Sequence, residues 1–427
     1  MMGARPAVLA CVTSAWFTAG LGAQQAVAPP TLVQVSLVEA VRRALEVQPA
    51  VIQARGDQRT AGANERAAAG AFLPTLSLGG SSTGQIVTVP SNTSYFGALN
   101  ASLELFDGFQ RTATKHAASA TADAADAGYI NQRAQVTATT HQVFFTALAA
   151  QELVRVAAAQ LERAKVERQI AVNKFQAGAA TRSDTLTATV DVGTARLALL
   201  QANANLATSQ ANLGRQIGVD QQVRAQRDSV FPPFPDTTGL RQEVLDSSPQ
   251  VRQAFAQLSA ARSLVTVARS QYWPTLSASY SSGYTGLGAP WTSTQSYVNN
   301  WSLRFTVSWT LFNGFTREAD QVSAAVTRDV AEAQAADARR GVNAELTQQL
   351  AAVATAYEQI EISDANVAAA TEALRVTQER YRLGAGTLLD LLTSQANITQ
   401  AEVNQVQARF TYLIARAQAE ALVGHTL

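Results

Sequence analysis

The chain has one cysteine, Cys11, in 427 residues. A single thiol cannot close a disulfide within the chain, and no Cys/His/Asp/Glu group has metal-ligand spacing, so neither a disulfide framework nor a metal site is expected. Histidines are almost as scarce: His116, His141 and His425 stand alone. No nucleophile, base and orienting partner can be assembled from them, so neither an enzyme nor a cofactor is expected. Charge of one sign is also missing, with Lys and Arg numbering 33 against 32 acids for a net charge of +1. The cations are spread singly, which argues against a nucleic-acid partner. Twelve prolines and 25 glycines are too few for a disordered or fibrous chain. Past the leader no run reaches the roughly 18 apolar residues of a membrane helix. If the protein spans a membrane, strands must do it.

What is present begins with an address. Arg5 supplies a positive start, Ala7 to Leu21 an apolar run, and Leu21-Gly22-Ala23 a small-residue cleavage site, with Ala26-Val27-Ala28 as a competitor. Residues 1–23 are read as a signal peptide, so the mature protein is expected to be exported and free of cysteine. Cys11 also admits a lipoprotein reading, which the few apolar residues before it do not favour.

The rest of the chain says nearly everything twice. Tyr381 to Leu392 reads YRLGAGTLLDLL and Phe175 to Leu186 reads FQAGAATRSDTL, so Phe175/Tyr381, Gly178/Gly384, Thr181/Thr387 and Asp184/Asp390 are each 206 residues apart. Each copy is a helix-to-helix turn in capping chemistry: glycine takes the left-handed conformation that closes one helix, and Thr-x-x-Asp caps the next. Pro49 and Pro249, and Phe72-Leu-Pro-Thr-Leu-Ser77 and Tyr272-Trp-Pro-Thr-Leu-Ser277, are 200 apart, while Leu105-Phe-Asp-Gly-Phe109 returns as Leu311-Phe-Asn-Gly-Phe315 after 206. Extra residues must therefore lie in the second strand hairpin, around Gly286 to Tyr297.

The repeats are placed at 24–218 and 239–427, with the proline-rich stretch 219–238 as a linker. Ser36-Leu-Val-Glu39 caps a helix running toward Gly70, irregular at Pro49. A hairpin of period two follows over 75–106. From Gln110 to Phe175 an uninterrupted helical composition predicts a rod of about 100 Å, and the turn 175–184 leads into a shorter helix to Gly218. The helices Ser36–Gly70 and Ser183–Gly218 together match the rod, and stacked end to end they can lie along it. In the second copy the hairpin occupies 274–311, the long helix about 316–382, the turn 381–390, and a final helix the remainder. Trp301 to Leu311 alternates apolar with polar residues, about the length of a tilted membrane strand, with Trp301 and Trp309 as an aromatic belt at its ends. A soluble sandwich strand has a similar apolar face.

Four strands cannot close a barrel, and an unpaired edge does not survive in lipid, so chains must pool their strands. The order, spacing and duplication of these motifs resemble the TolC-like outer membrane efflux protein family over the whole mature chain. The resemblance implies a mostly α chain with a small membrane β part, four strands per chain joining a trimeric twelve-stranded β-barrel continued by an α-helical barrel. It implies a homotrimer in outer membrane lipid with its helical part in the periplasm, docked to a periplasmic adaptor and an inner-membrane pump. The function implied is a passive exit duct for efflux or type I secretion. By the same resemblance Gly178, Thr181, Gly384 and Thr387 mark adaptor-docking turns, Asp390 rings the aperture, and Asp184 and Tyr381 form a tip latch. Gly386 and Thr393 depart from the family pattern, where an arginine and a second aspartate are expected. From local sequence alone both aspartates are accounted for as capping acids. The rival from another class is an exported structural or adhesive coiled-coil protein with a soluble β head.

Overall fold

The computed structural model describes residues 33–85, 92–227, 232–234, 240–241, 244, 248–287 and 297–423. The signal peptide, Cys11, the tips of both strand hairpins, residues 228–231 and 235–238 of the proline-rich stretch and His425 lie outside the described residues. Strand β1 (Val33–Val35) leads into helices α1 (Leu37–Val47) and α2 (Pro49–Gly70), and strands β2 (Thr75–Gln85) and β3 (Asn92–Phe106) follow. Helices α3 (Gln110–Gln176) and α4 (Arg182–Gln216) then lead to strand β4 (Val223–Ala225). The second set is α5 (Pro249–Ser270), β5 (Thr275–Leu287), β6 (Val298–Ser308), α6 (Thr316–Arg382) and α7 (Leu388–Val423).

The helix starts are written in the sequence. Ser36 Oγ accepts the Glu39 N–H at 3.3 Å to cap α1, and Pro49 and Pro249 sit in the first turn of α2 and α5, where a missing N–H costs nothing. Pro49 also ends α1 at Val47, because the residue before a proline is pushed out of the helical region and Gln48 is extended at ψ 124°. The interrupted helices do stack along α3. Gln48 Nε2 donates to the Gln216 carbonyl at 2.6 Å, joining the start of α2 to the end of α4, and Gln216 Nε2 reaches Thr140 Oγ1 on α3 at 3.0 Å. A cluster of Val35, Phe144, Ala147, Leu213, Ile217 and Val223 closes around this splice, and Leu240, Val244, Val342, Leu346 and Val423 form its counterpart in the second set. Both long helices have 67 residues, about 100 Å at 1.5 Å per residue. Alanine lines much of the buried face of α3, which lets neighbouring backbones approach closely.

The 219–238 stretch is not a free linker. Its β4 pairs in parallel with β1, Val33 with Val223 through Val35 with Ala225. Neither three-residue strand has the length for a period-two signal, so the pairing was invisible in the sequence.

The four remaining strands form one antiparallel sheet in the order β2-β3-β5-β6. Thr75 pairs with Ser102 and Thr275 with Ser308, so the extra residues of the second copy do fall between its two strands. Leu276 faces Val307, Ala278 faces Phe305 and Tyr280 faces Leu303 on one side of the β5/β6 pair. Ser277/Thr306, Ser279/Arg304 and Ser281/Ser302 line the other. Strand β6 begins and ends three residues earlier than the alternation suggested: Trp301 is its fourth residue and Trp309 lies just past its end. The alternation extends beyond the paired residues because the strand runs straight into the junction with α6, where Trp309 Nε1 donates to the Tyr272 carbonyl at 3.2 Å.

That junction is the tightest turn in the fold. Gly108 and Phe109, and again Gly314 and Phe315, hold positive φ between 66° and 70° in succession. A bulky residue in the left-handed region is an outlier that its surroundings must enforce. Here the ring of Phe109 stacks edge-on with Phe106 at 5.6 Å and that of Phe315 with Phe312 at 5.5 Å. A Cβ on Gly108 would meet the Ser270 carbonyl oxygen at 2.7 Å and Trp273 Cβ at 2.8 Å. Gly108→Ala is therefore expected to cost upwards of about 2 kcal/mol from backbone strain and overlap together. Thermal unfolding of the purified variant against wild type checks this; an unchanged midpoint would contradict the packing described.

Candidate functional site: the capped tip and the strand junction

At the end of α3 the chain turns through a Schellman motif. The Gly178 N–H bonds the Phe175 carbonyl at 3.0 Å and the Ala179 N–H the Lys174 carbonyl at 2.8 Å, with Gly178 at φ 73°. The end of α6 repeats it: Gly384 N–H to Tyr381 carbonyl at 3.1 Å, Ala385 N–H to Arg380 carbonyl at 2.8 Å, and Gly384 at φ 78°. Nothing lies within 4 Å of a Cβ added at either glycine, so the dihedral alone requires it. Both capping boxes are complete. Thr181 N–H donates to Asp184 Oδ2 at 2.9 Å and Asp184 N–H to Thr181 Oγ1 at 3.2 Å. Thr387 N–H donates to Asp390 Oδ2 at 3.1 Å and Asp390 N–H to Thr387 Oγ1 at 3.2 Å. Those bonds from Thr387, with a smaller effect of Arg380, hold the Asp390 carboxyl below its ordinary range.

Capping uses one oxygen of each aspartate and leaves the side chain in solvent. Asp390 is fully exposed, so a capping acid remains free to face an aperture.

The latch residues are not joined within the chain. Tyr381 is buried, its hydroxyl meets no hydrogen-bond partner, and Asp184 is committed to its own cap. Lys174 takes the tyrosine instead, stacking over its ring at 4.1 Å while its ammonium donates to the Tyr381 carbonyl. Burial, and then the nearby Asp184 and Glu167 carboxylates, push the phenol up from its ordinary value. Of the two departures, Thr393 turns its hydroxyl back to the Leu389 carbonyl at 2.8 Å, and a Cβ on Gly386 would touch Arg380 Cβ at 3.3 Å.

One part of the tip went unread in the sequence. Glu167 on α3 is 1% exposed, with neither carboxylate oxygen bonded. One helical turn toward the splice, Arg163 pairs with Glu402 at 2.8 Å and Thr399 at 3.2 Å on α7. Arg163 and Glu402 are 239 residues apart, beyond the reach of periodicity. At the other end of the molecule Trp301, on a strand exposed along its whole length, and Trp309, just past that strand, are 70% and 59% exposed.

Two lengthwise similar halves, two Schellman-and-box turns and a four-stranded sheet with an apolar face form the pattern to be compared with known proteins. The sequence profile of the family described as outer membrane efflux protein matches residues 40–219 and again 240–425. The chain belongs to that family. Among curated members, the pyoverdine export outer membrane protein OpmQ of Pseudomonas aeruginosa is 30% identical over 287 residues, covering 63% of this chain and 57% of its own. The cobalt-zinc-cadmium resistance protein CzcC of Cupriavidus metallidurans is 31% identical over 183 residues, covering 42% of this chain and 43% of its own. The matches thus span about half the length of these relatives. The crystal structure of the outer membrane protein VceC of Vibrio cholerae superposes with a TM-score of 0.81 at 18% identity, covering 91% of this chain and 96% of that one. That outer membrane protein therefore shares the fold described here.

Gly178→Ala and Gly384→Ala are each expected to cost about 1 kcal/mol, from the left-handed dihedral and not from crowding. Chemical denaturation should show small, nearly equal losses; a loss of several kcal/mol at either would reveal a packing contact.

Proposed function

We propose that three copies of this chain form a passive exit duct, a twelve-stranded barrel in the outer membrane continued by a helical tunnel through the periplasm. The observation that carries the reading is the set of surfaces the first half fills within the chain and the second half leaves open. Helix α3 is flanked by both α2 and α5, and its Ala113, Ala117, Ala120 and Ala124 are buried. Among the described residues helix α6 is packed chiefly against α5 and α7, without a counterpart of that second flank, and Val322, Val326 and Val330 stand 64%, 55% and 50% exposed on it. Val326 and Val330 lie 206 positions after Ala120 and Ala124. Gly108 is crowded by Ser270 and Trp273, whereas Gly314 at the same φ meets nothing within 4 Å. The residues 200 positions before that pair, Gly70 and Leu73, are free to fill the gap from another copy. Strands β2 and β6 offer unpaired edges in the same sense.

The soluble-head alternative needs one covered face on the sheet. Every residue of β6 is exposed, with Trp301, Leu303, Phe305 and Val307 on one side, which suits lipid. In this reading Trp301 and Trp309 lie at the membrane interfaces. Asp390 from three copies rings the aperture, Asp184 and Tyr381 latch it, and Gly178, Thr181, Gly384 and Thr387 receive a periplasmic adaptor that connects an inner-membrane pump. The relatives named above are named for roles as different as pyoverdine export and cobalt-zinc-cadmium resistance, which fits a duct that leaves cargo choice to the pump.

The purified protein is expected to migrate as a compact oligomer unless boiled. Val326→Asp should abolish that band and leave the circular dichroism spectrum of the monomer helical; an oligomer surviving this change would refute the proposed seam. In planar bilayers Asp390→Ala should relieve block by a trivalent cation about ten-fold or more, as three carboxylates on one ring would require. Unchanged block removes the aspartate from the aperture.

A further inference from the structure

The tip holds buried polar atoms that its present packing does not match. Neither oxygen of Glu167 makes a well-formed hydrogen bond, although Gln378 lies close enough to lower its carboxyl, and three donors on the surrounding side chains are likewise unmatched: Arg163 Nε on α3, Gln395 Nε2 on α7 and the Tyr381 hydroxyl on α6. The contacts place them in neighbouring layers. Arg163 bonds Thr399 and Glu402, so one turn toward the tip α3 presents Glu167 as antiparallel α7 presents Gln395. Tyr381 feels the charge of Glu167, and its ring is covered by Lys174 two turns further along α3. Leaving such atoms unmatched is costly, and a core that does so ordinarily has a reason.

We infer that Glu167 is a proton-responsive brace of the tip: neutral, it is tolerated among α3, α4, α6 and α7 in this packing, and ionised, it drives the α6–α7 hairpin toward a second packing in which the idle donors reach it. The functional meaning rests on the duct reading, because the hairpin that moves is the one bearing Asp390.

The groups facing Glu167 set the direction. From α4 comes Asp191, whose own carboxyl burial pushes up, with Asp184 nearer the turn. From α6 come Gln378 and Tyr381, while on α7 Glu402 is taken by Arg163 and the antiparallel register puts Gln395 at the level of Glu167. The nearby cations are occupied, Arg163 with Glu402 and Lys174 with the Tyr381 carbonyl. Burial first, then Asp191, outweigh Gln378 and Arg163 and raise the carboxyl from 4.5 to about 7. A carboxyl raised in one packing favours that packing at low pH; the preference fades as pH climbs above 4.5 and is gone once it passes about 7. The present packing is thus the acid form, and the second packing is favoured on the neutral side. Because one proton is involved, the equilibrium changes by at most about ten-fold per pH unit.

The test uses the full purified chain, wild type beside Glu167→Gln and Asp191→Asn, between pH 5.5 and 8. Hydrogen exchange over residues 374–395, corrected for the intrinsic pH dependence of exchange, should accelerate about ten-fold across this range in wild type and stay flat in Glu167→Gln. Bilayer open probability should change in parallel for wild type alone. Wild type and Glu167→Gln tracking one another overturns the inference, as does a pH response that survives Glu167→Gln and vanishes in Asp191→Asn. A Glu167→Gln variant merely damaged in folding would melt lower at pH 5.5, where the inference requires it to match wild type. Should no variant conduct at any pH, the duct reading fails, and the exchange data still decide the brace.

Discussion

An unpaired backbone edge cannot be left in hydrocarbon, and most of this structure answers that constraint. The four-stranded sheet presents two such edges and one continuous apolar face. A water-exposed protein hides one face of a sheet and blunts its edges with charge or proline. The strands here carry one charge apiece on β3 and β6, Glu104 and Arg304, none on β2 and β5, and no proline. Everything below the sheet can be understood as the support that brings several such edges into register: rods of fixed length, joined at fixed angles, with their alanine seams set for close approach.

Duplication supplies that support economically. Within one chain the second half docks on the first through β3 with β5 and α3 with α5. The same two surfaces recur at the free ends, so one kind of joint can serve inside and between chains. The joints are not identical. Asp107 grips Arg111 at 3.0 Å, whereas its counterpart Asn313 leaves Oδ1 buried and unbonded. Gly108 is enclosed while Gly314 is open.

Local chemistry was readable in advance. The capping boxes, turn glycines, proline breaks and 200- and 206-residue offsets each involve a few neighbouring residues whose dihedrals or hydrogen bonds allow little choice, and they locate nearly every helix end. Apolar alternation found the strands but misjudged the limits of β6, because the pattern continues into Trp309 while pairing stops at Ser308. Two classes of feature were illegible. The β1/β4 clasp is too short to carry a period, and the polar layer around Glu167 assembles from four helices whose sequence separation exceeds any local signal. Tyr381 belongs to that second class: sequence assigned it a latch, and its environment is set by Lys174 some two hundred residues earlier.

The splice at Gln48 and Gln216 has a mechanical corollary. A girder with one unbroken flange and one cut flange yields at the cut, so the helical column has a compliant waist held by a few amide hydrogen bonds and a small apolar plug. Twisting at one extremity can be absorbed there before it strains the four-stranded sheet at the other.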